Sequence, residues 1–309
     1  MLHYFIVNPT AGVKNALGDI KEKLKDIFKN RADEYFVYET KAENDATMQV
    51  KKVLQERDEN NPNLHVRIYS AGGDGTSFEC ANGIVGYKNC SFAVLPTGSC
   101  NDFLKTFPEY DFSKLENVID GTLKPIDVLK VNDKVCVNVC NIGYDAKTNA
   151  DCMRFRKKMK SIHKAYVKAL AINLLKPLGD PVKIVNQDDN TIFEGKSLLL
   201  SFSNGQYYGG GYRCAPLADT SDGLMEVSVV KKVSRLTFLR LVKGYKKGEH
   251  VTNYPKYKKY SVYNRANKVK ITSPIELTIS IDGEIFYSKE VIIEVLEKAV
   301  NFVLPKTDE

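Results

Sequence analysis

No stretch of the 309 residues stays apolar for anything near the ~20 positions that a membrane-spanning helix requires. The first residues, Met1-Leu2-His3-Tyr4-Phe5-Ile6-Val7, lack the positive leader, apolar core and small-residue cleavage site of an export signal, so a soluble cytoplasmic protein is expected. Cys80, Cys90, Cys100, Cys136, Cys140, Cys152 and Cys214 form no C-x-x-C pair, and their odd number argues against a disulfide framework. Cys136 and Cys140 fall two apart twice over in one expected strand, a pattern read as core packing rather than a metal site. The glycine-rich loop at 72–75 has neither the Lys-Ser/Thr ending of a Walker loop nor the Gly-x-Gly-x-x-Gly spacing of a dinucleotide fingerprint.

What is present is globular: 43% hydrophobic and 27% charged residues, over a length that allows two domains with a core each. The formal charge of +7 is compatible with nucleotide, anionic membrane or nucleic acid alike.

The chain is organised around residues 66–79, where a β-branched and aromatic run reaches a turn in which Gly72, Gly73 and Gly75 surround Asp74. Glycines let a polyphosphate approach backbone N–H groups, and a helix beginning near Thr76 adds the positive end of its dipole. Asp74 would repel bare phosphate, but suits a divalent cation held between carboxylate and phosphate oxygens. An ordinary turn closed by a Thr76–Glu79 capping box is the alternative local reading.

Around this stretch, strand and helix patterns alternate. The run 3–7 leads to a small-residue turn at 8–12 and a helical pattern in Leu17, Ile20, Leu24, Ile27 and Phe28; the run 35–38 ends at Thr40 before Ala46, Val50, Val53 and Leu54. A strand at 92–95 precedes a third small-residue loop at 96–103. The alternation predicts a parallel sheet of Rossmann-like type, with the loops at 8–12, 72–76 and 96–103 converging at the carboxyl ends of its strands. From Pro125 the runs are short, often alternating and separated by Asn, Asp and Gly, which predicts a largely antiparallel β-sandwich. The expected division is therefore an α/β nucleotide-binding domain, 1–127, and a β domain, 128–294.

Asn8-Pro9-x-x-Gly12, Gly72-Gly73-Asp74-Gly75-Thr76 and Pro96-x-Gly98-x-x-Asn101-Asp102-Phe103 together resemble, in this order, the catalytic motifs of the bacterial diacylglycerol kinase and related lipid kinases. The second motif is shared with NAD kinases, phosphofructokinases and sphingosine kinases; the third is narrower and points away from NAD kinase. Ser99 and Cys100 stand where the family usually has Thr and an apolar residue, and serine keeps the hydroxyl. The resemblance continues through Asp127, Asn141-Ile142-Gly143-Tyr144-Asp145, the run 204–211, Asp219-Thr220-Ser221-Asp222-Gly223 and Asp282-Gly283-Glu284.

The resemblance implies an active site in the cleft between the domains, with a tail from about 295 to 309 returning to the first. It implies ATP and Mg²⁺ as cofactors, with nucleotide contacts from Asn8, Pro9, Thr10, Ala11, Gly12, Thr40, Gly72, Gly73, Asp74, Gly75, Thr76, Glu79, Ser99 and Asn101. Asp74, Asp102 and Asp127 would form the acidic network around the catalytic Mg²⁺. Asp222 would hold a structural Mg²⁺ with the backbone carbonyls of Asp219 and Leu224, although Glu226 replaces the family's more usual Asp nearby. Glu284 would be the general base; read locally, Asp282-Gly283-Glu284 is a type I′ hairpin turn.

Two basic stretches bear on partners. Phe155, Met159, Ile162, Tyr166 and Leu170 fall on one face of a helix expected over 155–170, with Lys157, Lys160, Lys164 and Lys168 opposite. Farther on, Lys243, Lys246, Lys247, Lys256, Lys258 and Lys259 interleave with Tyr245, Tyr254, Tyr257 and Tyr260, a composition that nucleic acid could also use. The implied partners are a membrane lipid substrate and the anionic inner face of a membrane, with no nucleic acid and a possible homodimer.

Overall fold

The computed structural model describes residues 1–11, 16–98, 100–156, 158–159 and 161–307. Gly12, Ser99, Lys157 and Lys160 lie outside the described residues. The chain divides into two compact units, Met1–Val128 with Glu297–Glu309, and Leu129–Leu296.

The first unit alternates β1 (Leu2–Val7), α1 (Ala16–Phe28), β2 (Glu34–Glu39), α2 (Asp45–Asn60), β3 (Val66–Gly72), α3 (Asp74–Ile84) and β4 (Cys90–Pro96), then a short 3₁₀ turn Asp102–Thr106, α4 (Leu115–Ile119) and β5 (Thr122–Val131). Its strands pair in parallel, β1 between β2 and β3, and β4 beyond β3. β1, β3 and β4 are buried along nearly their whole length, which is why they read as continuous apolar runs. The stripe Ile20, Leu24 and Phe28 of α1 packs on Phe5, Tyr69 and Ala93. Arg67, buried in β3, donates to the carbonyls of Ile119 and Gly121 and so fixes the segment after α4.

The second unit holds β6 (Lys134–Cys136), β7 (Val139–Gly143), α5 (Tyr144–Arg156), α6 (Ile162–Leu175), β8 (Asp180–Asn186), β9 (Thr191–Ser203), β10 (Met225–Lys231), α7 (Arg235–Lys246), α8 (Glu249–Thr252), α9 (Tyr254–Tyr257), β11 (Ser261–Ala266), β12 (Lys268–Ile281) and β13 (Glu284–Leu304). Its pairings are antiparallel: β11 with β10, β10 with β9, β9 with β7, β7 with β12 and β12 with β13, while β8 pairs both β9 and β12. The last residues of β13 belong to the first unit, where Phe302 pairs in parallel with Phe92.

Several local expectations need correction. The single amphipathic helix over 155–170 is two helices: α5 ends at Arg156 and α6 starts at Ile162, with Ser161 as its cap. Phe155 and Met159 pack with Tyr166 on Cys152, Ala165 and Ala169, so the apolar stripe closes the pair of helices upon itself. Cys136 and Cys140 lie on two strands, β6 and β7, and both are buried. Helix α3 starts at Asp74 with Gly73 as its cap, two residues ahead of the expected Thr76.

Candidate functional site

Two of the three small-residue loops meet in the first unit where β3 ends. The Gly72 carbonyl accepts the Gly98 amide at 2.9 Å and Asn101 Nδ2 at 3.2 Å. A Cβ on Gly98 would lie 2.4 Å from Gly73 Cα, and one on Gly72 would lie 2.3 Å from Thr76 Oγ1. Two backbones therefore touch where only glycine fits. The loop after β1 joins them, because Asn8 Nδ2 donates to Thr76 Oγ1 at 3.3 Å. Asn8 Oδ1 meanwhile accepts the amide and hydroxyl of Thr10, an Asx turn that shapes the loop through Pro9 toward Ala11. Thr40 is held beside it by its amide, which donates to the Val7 carbonyl.

Asp74 occupies the first turn of α3, where a carboxylate complements the helix dipole. Its Oδ1 accepts the Asp102 amide at 3.2 Å, which brings the second and third loops together. Asp102 is buried and ion-paired with Lys105. Asn101 is held in a left-handed conformation, φ 49°, and its buried Oδ1 has no hydrogen-bond partner among the described residues. A half-buried carboxylate at a helix N-terminus, a glycine cradle and an orphaned amide oxygen form a donor set that fits a magnesium-bound polyphosphate.

Two expected members of the site, Glu79 and Asp127, have backbone amides as partners. Glu79 accepts the amides of Asn44 and Ala46 through its two oxygens, at 2.9 and 3.0 Å, and so caps α2 from α3. Among the described residues the partners of its carboxylate are these amides and not Thr76, so the local capping-box reading gives way to a cap on the neighbouring helix. Asp127 is fully buried, and its Oδ1 accepts the Lys298 amide at 2.7 Å, where Lys298 adopts φ 48°. Its carboxylate clamps the returning tail.

In the second unit, Asp282 and Gly283 take φ 48° and 102°, the paired positive angles of a type I′ turn, and Glu284 begins β13 opposite Ile281. This turn is anchored. The Asp282 carboxylate accepts the amides of Val137, Asn138 and Val139 at 2.7, 3.1 and 2.9 Å, and Asn149 Nδ2 donates to the Gly283 carbonyl at 2.7 Å. Burial raises the Asp282 pKa, against the pull of those amides. Glu284 is left half-buried on a fixed hairpin.

The same unit contains a mostly apolar pocket lined on one side by Tyr166 and Leu170 of α6 and on another by Phe238, Leu241 and Val242 of α7. Among the described residues its one lining carboxylate is Asp145, which accepts a hydrogen bond from the Tyr208 hydroxyl. Asp145 borders the pocket, yet protein encloses it, and that burial pushes its pKa up to about 6 against the lowering effect of the Tyr208 hydrogen bond. The motif containing Asp145 was visible in the sequence; its role was not, because Tyr208 and the lining helices come from distant segments. Tyr245 and Tyr257 line this pocket and are buried, which removes them from any exposed stacking surface.

In the loop expected to hold a structural cation, the acidic side chains have protein partners. Asp222 is ion-paired with Arg265, and the same guanidinium contacts Glu226 at 2.9 Å. Asp219 Oδ1 accepts from the amide and hydroxyl of Ser221. The guanidinium places positive charge beside both acids.

Residues 3–131 match the family description "Diacylglycerol kinase catalytic domain", and residues 138–304 match "YegS C-terminal NAD kinase beta sandwich-like domain". The chain is 28% identical over 287 residues to a diacylglycerol kinase of Bacillus subtilis, covering 90% of this chain and 88% of that one. It is 27% identical over 285 residues to a diacylglycerol kinase of Staphylococcus haemolyticus, with 90% and 81% covered. A solved structure of a candidate diacylglycerol kinase from Bacillus anthracis superposes with a TM-score of 0.72 at 25% identity, covering 98% of this chain and 96% of that one.

Proposed function

The chain belongs to the bacterial diacylglycerol kinase-like lipid kinase family, and from that premise we propose that it transfers the γ-phosphate of ATP to the hydroxyl of a membrane lipid, with diacylglycerol as acceptor and phosphatidate as product. The observation that carries this reading beyond its relatives is a pairing of sites within one chain. A glycine cradle able to take a polyphosphate stands in the first unit, and a pocket of lipid-chain character, with one acid on its wall, stands in the second.

Each residue has a defined task. The backbone at Gly72, Gly73 and Gly75, with the hydroxyl of Thr76 and the amide of Asn8, receives phosphate oxygens. Asp74 would hold a magnesium ion, which when bound would supply positive charge against the phosphates. Asp102, offset by Lys105, fixes the loop that carries Asn101. Glu284 accepts the proton of the lipid hydroxyl as that oxygen bonds to the γ-phosphorus and the bond to the ADP oxygen breaks; ADP leaves. Asp145 orients the polar end of the lipid. Below about pH 6 it is protonated and donates, and above that it accepts.

The test is incubation with radiolabelled ATP, Mg²⁺ and a total lipid extract, followed by identification of the labelled lipid and repetition with Glu284→Gln. A labelled phosphatidate that disappears in the variant supports the reading. A labelled phosphorylated sphingoid base, isoprenoid or monoacylglycerol would retain the chemistry and replace the acceptor. No labelled lipid would leave a nucleotide-binding regulator.

A further inference from the structure

The exposed faces of α6 and α7 combine large apolar side chains with cations. On α6 the exposed positions Lys164, Val167, Lys168, Ala171 and Leu175 follow helical spacing, and on α7 Leu236, Leu239, Arg240 and Lys243 do the same. Leu175, Leu236, Leu239 and Val167 keep 77%, 69%, 53% and 49% of their surface in water. The two faces adjoin, because the Arg235 guanidinium at the start of α7 donates to the carbonyls of Leu174, Leu175 and Lys176 at the end of α6. The leucines of both helices therefore gather at one corner, and Lys164 and Lys168 on α6, with Arg240 and Lys243 on α7, flank them. Neither helix contains an Asp or a Glu.

We propose that this corner is a membrane-docking surface whose occupant is an anionic lipid bilayer, with Leu175, Leu236 and Leu239 entering the acyl boundary and the flanking cations meeting the headgroups. A run of exposed leucines with cations on either side, on helices that contain no acid, matches the layering of an anionic bilayer, which is apolar inside and negative at its rim. The neighbouring Asp151 is neutralised by Lys176 at 2.8 Å. Its position adds a reason. The opposite stripe of α7, Phe238, Leu241, Val242 and Tyr245, lines the pocket, so one helix turns one face to the bilayer and the other to the cavity that would receive a lipid from it. The surface shares Lys164 and Lys168 with the lysine face expected over 155–170 and adds to them the leucines and cations of α7, while Lys168 also lies over the Phe155 ring at 4.7 Å.

The inference rests on the lipid-kinase reading, and the experiment separates the two. The chain has no tryptophan, so Leu236→Trp gives a single reporter. With phosphatidylglycerol vesicles its emission should shift to the blue and be quenched by brominated acyl chains, while Phe36→Trp, an exposed site on β2, should do neither. Leu236→Ser with Leu239→Ser should bind those vesicles about tenfold more weakly and still phosphorylate a water-soluble short-chain diacylglycerol at the wild-type rate. Unchanged emission at position 236 while the protein sediments with vesicles would overturn the proposal, as would a vesicle-free dimer that the double serine variant converts to monomer. If the wild type phosphorylates no lipid, short-chain or long, yet position 236 still reports insertion, the kinase reading fails and the docking surface stands.

Discussion

The amide of Asp102 donates to Oδ1 of Asp74 across 3.2 Å, joining two loops that lie 28 residues apart. One oxygen of the proposed metal-holding carboxylate is thereby oriented by the backbone. Asp74→Asn keeps a carbonyl oxygen for that amide and removes the charge. Thermal stability should stay within about 0.5 kcal/mol of wild type, while Mg²⁺-dependent turnover falls by about 10²-fold or more. Calorimetry beside a magnesium titration of activity checks both halves.

Gly98 touches Gly73 so closely that one methyl group has nowhere to go. Gly98→Ala must push the third loop off the second, at a cost of about 1–3 kcal/mol, and should weaken binding of a non-hydrolysable ATP analogue more than it weakens vesicle binding. Urea denaturation and nucleotide titration measure the two effects.

The three amides that hold Asp282 make it a positioning residue for Glu284. Asp282→Ala leaves those buried donors without their acceptor and lets the hairpin move, for about 1–3 kcal/mol. Turnover should drop with the KM for ATP nearly unchanged. A variant retaining full turnover would show that the anchor has no part in the reaction.

Arg265 bridges Asp222 and Glu226, and Glu226 is nearly fully buried. Burial raises the Glu226 pKa, opposed by Tyr263 and Arg265. Chelation by EDTA should therefore leave the melting temperature unchanged. Arg265→Met should lower stability by about 1–3 kcal/mol, because a buried carboxylate loses its charged partner. A clear fall in melting temperature on chelation of the wild type would restore a cation to this loop.

His250 and His3 are both buried, and burial takes the pKa of each down to about 4. The Cys214 carbonyl at 2.9 Å, which requires a proton on Nε2 of His250, opposes that shift; at His3 the charge of Arg67 adds to it and Asp33 opposes it. A histidine whose pKa is depressed on folding contributes stability that is present above its unfolded value near 6.5 and lost as pH falls toward 4. The loss should reach on the order of 3 kcal/mol for each by pH 4. Denaturation curves at pH 7, 5.5 and 4.5 should trace this decline, and His250→Gln should flatten it.

Periodicity was enough for the elements of the first unit. Leu17, Ile20, Leu24, Ile27 and Phe28 lie on α1, Ala46, Val50, Val53 and Leu54 on α2, and the glycine turn follows β3, because each pattern is written within one segment. It failed over 155–170, where the apolar stripe is continuous in sequence and the helix is not. The stripe there packs against its own continuation across a turn, which periodicity cannot distinguish from packing on a sheet.

The sequence by itself determined what is local: the strand-loop-helix alternation, the glycines that leave a backbone bare, and the Asp-Gly pair that turns a hairpin. Tertiary structure alone decided which partner each charged side chain found. Glu79 reaches 35 residues back to cap α2, Arg265 reaches 43 residues to Asp222, and Asp282 receives amides from more than 140 residues away. A carboxylate's identity fixes its charge and reach, but the fold fixes what stands within 3 Å of it. That neighbour determines whether it holds a metal, caps a helix or pins a turn.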